Sequence, residues 1–308
     1  MTRWQALLGN FEVGPKEITF LGEPRAEQDL ATGGLSVGNL ISEHSLAGGS
    51  VSATVSFDTL DEHTACDLIL FYQPTGPDFL TAGIGGGALF TVRSFVGGRW
   101  NYHATSGDRR NLRAQSDYQI KVTVHGSRVL LTVGGVDVLA TTLPVVPPPG
   151  QAGIWCAGRS HIRIRNFSVD GTEPTAFVVM QFSKPYDELY REVIKPICSE
   201  FHVHAIRADE TFGPGFILAD IARQISEAYV VIAEITPPNQ NVYYELGLAH
   251  AWSKPTILIA EKDTHLPFDV SPFRTLFYEN SIEGKSKIEA GFRKHLGAVL
   301  SSWRGIRP

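Results

Sequence analysis

Residues 176–182 read AFVVMQF, apolar throughout until Gln181. A strand with one face in water would alternate; an unbroken apolar run belongs in a sheet covered on both faces. Two more such runs follow, YVVIAEI from Tyr229 and PTILIA from Pro255. Helical patterns separate them. In KPYDELYREVIKPICSEF (184–201), Leu189, Val193 and Ile197 stand four apart on one face, and Pro196 is expected to end or kink the helix. In GFILADIARQISEA (215–228), Leu218, Ile221 and Ile225 form a stripe. A third helix is expected from near Asn241. HVHAIRA (202–208) and LFY (276–278) read as short strands, and KIEAGFRKHLGAVLSSW (287–303) as a closing amphipathic helix. Strand and helix alternate from about residue 176 to the end, which predicts a doubly wound parallel sheet.

Working back toward the N-terminus, the period changes at GTEPT (171–175). SVSATVSF (50–57) alternates, and QIKVTVHGSRVLLTV (119–133) alternates on both sides of a turn, as a hairpin does. VGGVDV (133–138) reads as a second tight turn; CDLILFYQP, FLTAGIGGGALFTVRSF and IRIRNFSV add strands. Regularly spaced strands with glycine-rich turns predict an antiparallel sandwich over residues 1–170, a linker at 171–175 and an α/β domain over 176–308. A chain of 308 residues suits two domains. It is 43% hydrophobic and 19% charged, with a formal charge of −5, which gives no electrostatic case for nucleic acid or an anionic membrane as partner. Cys66, Cys156 and Cys198 are far apart and odd in number, so neither a metal spacing nor a disulfide framework is read. No h-region or membrane span is seen, and the cytoplasm is the expected location.

In an open α/β sheet, ligands bind beyond the carboxyl ends of the strands, where the strand order reverses. In a flavodoxin-like order that point lies between the first and third strands. It gathers Gln181 and Phe182, Glu234, and the PPNQN loop that feeds the helix of NQNVYYELGLAHA (239–251). Asn241, Tyr244 and Glu245 sit at the start of that helix, Arg207 and Asp209 follow the second strand, and Asp220 lies in the helix before the third. Bland readings stand beside these. A carboxylate in a helix's first turns is favoured by the macrodipole alone. Asp220 reads equally as a first-turn acid, Asp209 as a loop acid and Arg207 as a paired cation. His202, His204 and His250 read as edge or packing residues rather than metal ligands. The glycines of TFGPGF (211–216) read as a flexible approach loop.

The order FVVMQF, IRADE, GPGFILADI, VVIAEIT, NVYYELGLAHAWSKPTILI resembles the nucleoside 2-deoxyribosyltransferase and TIR-like superfamily over residues 175–300. The resemblance implies that Glu245 is the catalytic carboxylate. It would be a nucleophile at the anomeric carbon in the transferases, or the acid that cleaves the nicotinamide bond of NAD in TIR-like enzymes. Asp220 maps approximately onto the acid that contacts the base. NAD would be a substrate, and no cofactor is implied. Tyr229 and Glu234 depart from the family's ADVVIADLT by replacing two acids. RWNYHATSG, YQIKVTVHGSRVLLTVGGVDV and GQAGIW…IRIRNFSVDG resemble a concanavalin-like, laminin-G type jelly roll. In it Tyr72, Trp100, Tyr102 and Trp155 either stack on a sugar or form core, leaving a sugar ligand, a protein ligand or an assembly role open. A sandwich fused to such an enzyme implies a NAD-cleaving effector of antiphage defence, a homo-oligomer activated through its first domain. A nucleoside transferase or hydrolase, a non-catalytic nucleotide-binding module and a scaffold remain as alternatives.

Overall fold

The structure, a computed structural model, describes residues 2–22, 36–210 and 217–302, the side chains of residues 217, 301 and 302 excepted. Contacts divide the chain into two compact units, the first drawn from residues 1–172 and the second from residues 173–308 together with 125–127 and 144–147.

The first unit holds strands β1 (Trp4–Leu8), β2 (Phe11–Val13), β3 (Glu17–Phe20), β4 (Val37–Leu46), β5 (Gly49–Phe57), β6 (Ala65–Tyr72) and β7 (Phe79–Gly85). It continues with β8 (Phe90–Val96), β9 (Arg99–Ser106), β10 (Tyr118–His125), β11 (Arg128–Val133), β12 (Val136–Thr142), β13 (Gly150–Ala157) and β14 (Ile162–Gly171). They form two seven-stranded sheets, ordered β1-β4-β13-β6-β7-β8-β9 and β12-β11-β10-β5-β14-β3-β2. Every recorded pairing in them is antiparallel, as in a jelly-roll sandwich. The period-two pattern explains the core: Val51, Ala53, Val55, Ile120, Val122 and Val124 from one sheet meet Leu68, Leu70, Ala82 and Ile154 from the other. The turn expected at VGGVDV is a two-residue hairpin with Val133 opposite Val136. Gly134 and Gly135 both adopt positive φ, +57° and +80°, which matches the twist of the flanking strands and excludes most side chains.

The second unit has a five-stranded parallel sheet: β15 (Thr175–Val179), β16 (His204–Arg207), β17 (Val230–Glu234), β18 (Thr256–Glu261) and β19 (Thr275–Tyr278). The order is β16-β15-β17-β18-β19. Its three inner strands, β15, β17 and β18, are buried on both faces, as their unbroken apolar runs demand. On one face Val178, Val230, Ile232, Ile257 and Ile259 pack with helices α1 (Tyr186–Leu189), α2 (Lys195–Glu200) and α5 (Ile282–Ser302). On the other, Phe177, Val179, Val231, Ala233 and Leu258 pack with α3 (Ile217–Glu227) and α4 (Gln240–Ala251). Pro196 does not end its helix. A π turn, Tyr190–Ile194, joins α1 to α2, with the Lys195 N–H donating to the Tyr190 carbonyl. Proline brings no N–H and crowds the carbonyl four residues back, and the wider turn just before it accommodates both.

Candidate functional site

A cleft of about 650 Å³ opens at the carboxyl ends of β15 and β16, on the face carrying α3 and α4. The chain reverses its strand order at β15, so the segments leaving β15 and β16 diverge there. Met180, Gln181 and Phe182 line the cleft from the end of β15, Ala208 and Asp209 from the turn after β16. Leu218 and Ile221 come from α3, and Asn239, Asn241, Val242, Tyr244 and Glu245 from the start of α4. Asn239 caps α4, its Oδ1 accepting the Asn241 N–H at 2.9 Å. The cap places Glu245 in the second turn rather than the first, where a macrodipole acid would stand. Among the described residues Glu245 has no hydrogen-bond or ion-pair partner, and burial alone pushes its carboxyl up to about 7. Phe182 and Tyr244, 49% and 55% exposed, present two aromatic rings at the rim.

Of the residues read from the sequence, the cleft brings together Gln181, Phe182, Asp209, Asn241, Tyr244 and Glu245. Three expected contacts do not line it. Arg207 is buried beneath it and fully used. Its Nε and Nη2 donate to Asp209 Oδ1 and Oδ2, both at 2.6 Å, and its Nη1 to Asp187 Oδ1 at 2.6 Å. The guanidinium lies 5.2 Å from the Phe182 ring centre and 4.7 Å from that of the buried Tyr190, so it braces Phe182, a cleft residue, from behind. Tyr190 is held in turn by its hydroxyl, which donates to Glu210 at 2.7 Å. Asp220 pairs with Arg223 at 3.4 Å on a half-exposed flank of α3. At about 100° per residue, a helix that aims Leu218 and Ile221 at the cleft turns Asp220 away.

Glu234 shares a strand parity with Val230 and Ile232 and therefore faces the sheet's other side. It is 1% exposed and accepts from the Thr236 N–H at 3.2 Å and the Tyr278 hydroxyl at 3.4 Å. Burial pushes its carboxyl up to about 8 against those bonds. Tyr229 stands just before β17, at the opposite end of the strand from the cleft. Five residues of strand, roughly 17 Å, separate the two ends, so this departure from the family pattern does not reach a ligand in the cleft. The 211–216 loop lies outside the described residues. Asp187, Tyr190 and Asn239 were not read from the sequence as parts of this site. Asn239 carried a signal, an asparagine just ahead of a helix; the other two act through tertiary contacts.

In the sandwich the four aromatics are mostly consumed by packing. Arg93 on β8 lies 4.2 Å from the ring centres of both Trp100 and Trp155. It donates to Asp67 Oδ2 from Nη2 at 2.8 Å and Nε at 3.1 Å, and to the Tyr102 hydroxyl at 3.4 Å. Asp67 is 0% exposed, Trp155 is 7% exposed, and Tyr72 packs toward Phe79; Tyr102 alone of the four is open. A Cβ at Gly83 would stand 2.7 Å from Asp67 Oδ1 and 2.3 Å from a backbone oxygen, so glycine makes room for the ion pair. Cys66 and Cys156, distant in sequence, are opposite one another on β6 and β13, with sulfurs 3.8 Å apart as free thiols. Among the described residues no group of three His, Cys, Asp or Glu side chains is placed to hold a metal, and no helix is long and apolar enough to cross a membrane.

No family model matches the sequence, and no curated protein matches it. Among solved structures, a carbohydrate-binding module from Bacillus subtilis is 14% identical, with a TM-score of 0.45 over 54% of this chain and 94% of that one. A Bacillus licheniformis beta-glucanase is 12% identical, with a TM-score of 0.38 over 53% of this chain and 89% of that one. A Bacillus subtilis protein with a galectin-like fold is 12% identical, with a TM-score of 0.38 over 53% and 87%. These likenesses carry no argument about ligand or activity; the sandwich rests on its own sheets.

Proposed function

We propose that the cleft cleaves the N-glycosidic bond of a pyridinium riboside of the NAD type, with Glu245 as the catalytic carboxylate. The observation that carries this reading is Glu245 itself: a half-buried carboxylate, unpartnered among the described residues, in a cleft of nucleoside dimensions. The C1′–N bond breaks and its electron pair goes to the ring nitrogen, which turns a cationic base into neutral nicotinamide. The ionised Glu245 stabilises the oxocarbenium-like sugar. Water adds to C1′ and gives up one proton, which Glu245 accepts. A cationic base needs no proton to leave, and this matters because among the described residues the cleft offers no evident donor. Asp209 is held between two guanidinium nitrogens, and Asp220 is outside. A neutral nucleoside would need such a donor. The transferase reading, with a covalent glycosyl-Glu245 intermediate, is weaker here for that reason.

The strand order, flavodoxin-like, and the ordered motifs resembling TIR-like enzymes support the same reading. On that resemblance the chain is an effector of prokaryotic antiphage defence, acting in the cytoplasm. The sandwich serves as sensor or assembly module, with a sugar or protein ligand, and turnover rises on oligomerisation.

The test is nicotinamide release from NAD and, separately, base exchange with deoxynucleosides, read by chromatography with dilute and with crowded protein. Glu245→Gln is expected to lose about a hundredfold or more in rate. It is expected to melt no lower than wild type, and higher once the pH passes about 7, because Gln keeps the size and removes a charge that burial disfavours. Near wild-type turnover by Glu245→Gln would reduce Glu245 to a packing residue and leave a binding module.

A further inference from the structure

A half-exposed aromatic at a cleft rim serves a flat ligand well only when its ring is held still, and Phe182 is such a residue. We infer that Asp187, which stands behind the cleft wall, is a positioning residue for the pyridinium. Acting through Arg207, it fixes the Phe182 ring as the surface on which the pyridinium stacks, and so sets the affinity for the nucleotide. The inference rests on the cleft binding a pyridinium nucleotide, as proposed above.

Asp187 reaches Phe182 in two ways. Its backbone N–H donates to the Ser183 carbonyl at 3.0 Å, which turns the chain directly after Phe182. Its Oδ1 accepts from Arg207 Nη1 at 2.6 Å, and that guanidinium lies 5.2 Å from the Phe182 ring centre, within cation–π reach. Asp209 takes the other two nitrogens, Nε and Nη2. It stands two residues beyond Arg207 in the same turn, so this fork orients the guanidinium without tying it to the ring. Of the three bonds, the one to Asp187 crosses to the segment that carries Phe182. The Arg207 side chain is 5% exposed and Tyr190 packs at 4.7 Å, so the guanidinium is a firm support while all three bonds hold. Without Asp187 the fork to Asp209 remains, but the guanidinium loses its register with the ring. A rim phenylalanine without backing samples several rotamers, and a ligand that stacks on it loses affinity to the entropy of ordering it.

The test is a double-mutant cycle on affinity. The probe is carbocyclic NAD, in which a methylene replaces the ring oxygen of the nicotinamide-bearing sugar. It keeps the cationic ring and cannot form an oxocarbenium ion, so it is not cleaved and Glu245 stays in place. Calorimetry measures its binding to the wild-type chain, Asp187→Ala, Phe182→Leu and the double variant. Each single variant is expected to bind about tenfold more weakly, the scale of one stacked aromatic contact, and the double variant no more weakly than Phe182→Leu alone. A loss of melting temperature from Asp187→Ala is expected in both backgrounds, whereas its effect on affinity vanishes with the ring. Asp187→Asn, which keeps one acceptor oxygen, is expected to recover most of the affinity. Arg207→Lys breaks the same link from its other end, is expected to show the same non-additivity with Phe182→Leu, and replaces Asp187→Ala in the cycle if that variant does not fold. With NAD itself, KM is expected to rise in Asp187→Ala by a larger factor than kcat falls. If no nicotinamide is released but the cycle holds, the catalytic reading fails and this one stands. Equal losses of affinity from Asp187→Ala with and without the Phe182 ring, unchanged affinity in either single variant, or no binding by the wild-type chain overturns it.

Discussion

Two carboxyls raised by burial, Glu245 and Glu234, are expected to give activity and stability opposite pH dependences. In the proposed mechanism Glu245 acts only when ionised, so kcat/KM is expected to rise with pH through about 7 and then level off. An activity flat from pH 5 to 9 would exclude Glu245 as the titrating group. Glu234 is raised to about 8 in the folded chain, above an ordinary unfolded value of roughly 4.3. Between those values the folded protein binds more protons than the unfolded one, so its stability falls as pH rises through that window. The loss is on the order of a few kcal/mol, and Glu245 adds to it up to about 7. Glu234→Gln is expected to melt higher than wild type at pH 8 and about equal at pH 5. A melting temperature below wild type at pH 8 would mean that Glu234 is needed as an anion. Residue roles of this kind were only half legible in the sequence. Glu245 stood out because an isolated acid interrupts an apolar helix. Asp220 and Glu234 were misplaced because facing depends on the phase of a helix or strand, and a one-residue change of phase reverses or rotates the side chain. The Arg207 clamp depends on Asp187, twenty positions away in the chain, and no local pattern points to it.

Elements were legible where their pattern is unbroken. The runs at Ala176, Val230 and Thr256 could only be strands covered on both faces, and they are. The first four strands of the sandwich escaped. Four of the five residues of β1 are exposed, β2 is three residues long, β3 alternates but over only four residues, and the pairing of β4 shifts register against both of its neighbours. What joins elements is less visible still. Lys254, 4% exposed ahead of β18, donates its Nζ to the carbonyls of Ser226 at 2.5 Å and Ala228 at 2.9 Å. It thereby caps the end of α3, where a cation also meets the negative end of the helix. Burial brings its amine down to about 7. Lys254→Met is expected to cost about 2 kcal/mol in chemical denaturation, since the Ala228 carbonyl loses its lysine donor while that of Ser226 still accepts from Ser127. Hydrogen exchange should quicken in the last turn of α3 before it does in β18. An unchanged midpoint would show that the carbonyls find other partners.

At the scale of the whole molecule, the change of period at 171–175 and the change of sheet coincide: β14 ends at Gly171 and β15 begins at Thr175. Each side has its own apolar core, so residues 1–172 and 173–308, produced separately, are each expected to unfold cooperatively. The second fragment is expected to keep whatever nicotinamide release the full chain shows at rest. Loss of cooperative unfolding in both fragments would mean that the two cores are not independent. That an antiparallel sandwich is followed by a parallel sheet was readable because it needs only the period of the hydrophobic pattern. The pairing of Cys66 with Cys156, or of Asp67 with Arg93, was not, because both pairs arise from strand order in the sandwich, which periodicity does not encode.

The indoles that enclose Arg93 also give the sandwich an optical identity. The Trp100 and Trp155 rings are 5.5 Å apart and inclined at 76°. Transition dipoles that close and that far from parallel couple, so the circular dichroism of the intact chain should contain a paired positive and negative band from these two chromophores. Trp100→Phe would remove the pair of bands without touching Trp252 on the α/β side. Followed against temperature, the couplet reports on the sandwich while the rest of the spectrum reports on the chain as a whole, which lets the order of melting be seen in an uncut, unlabelled molecule.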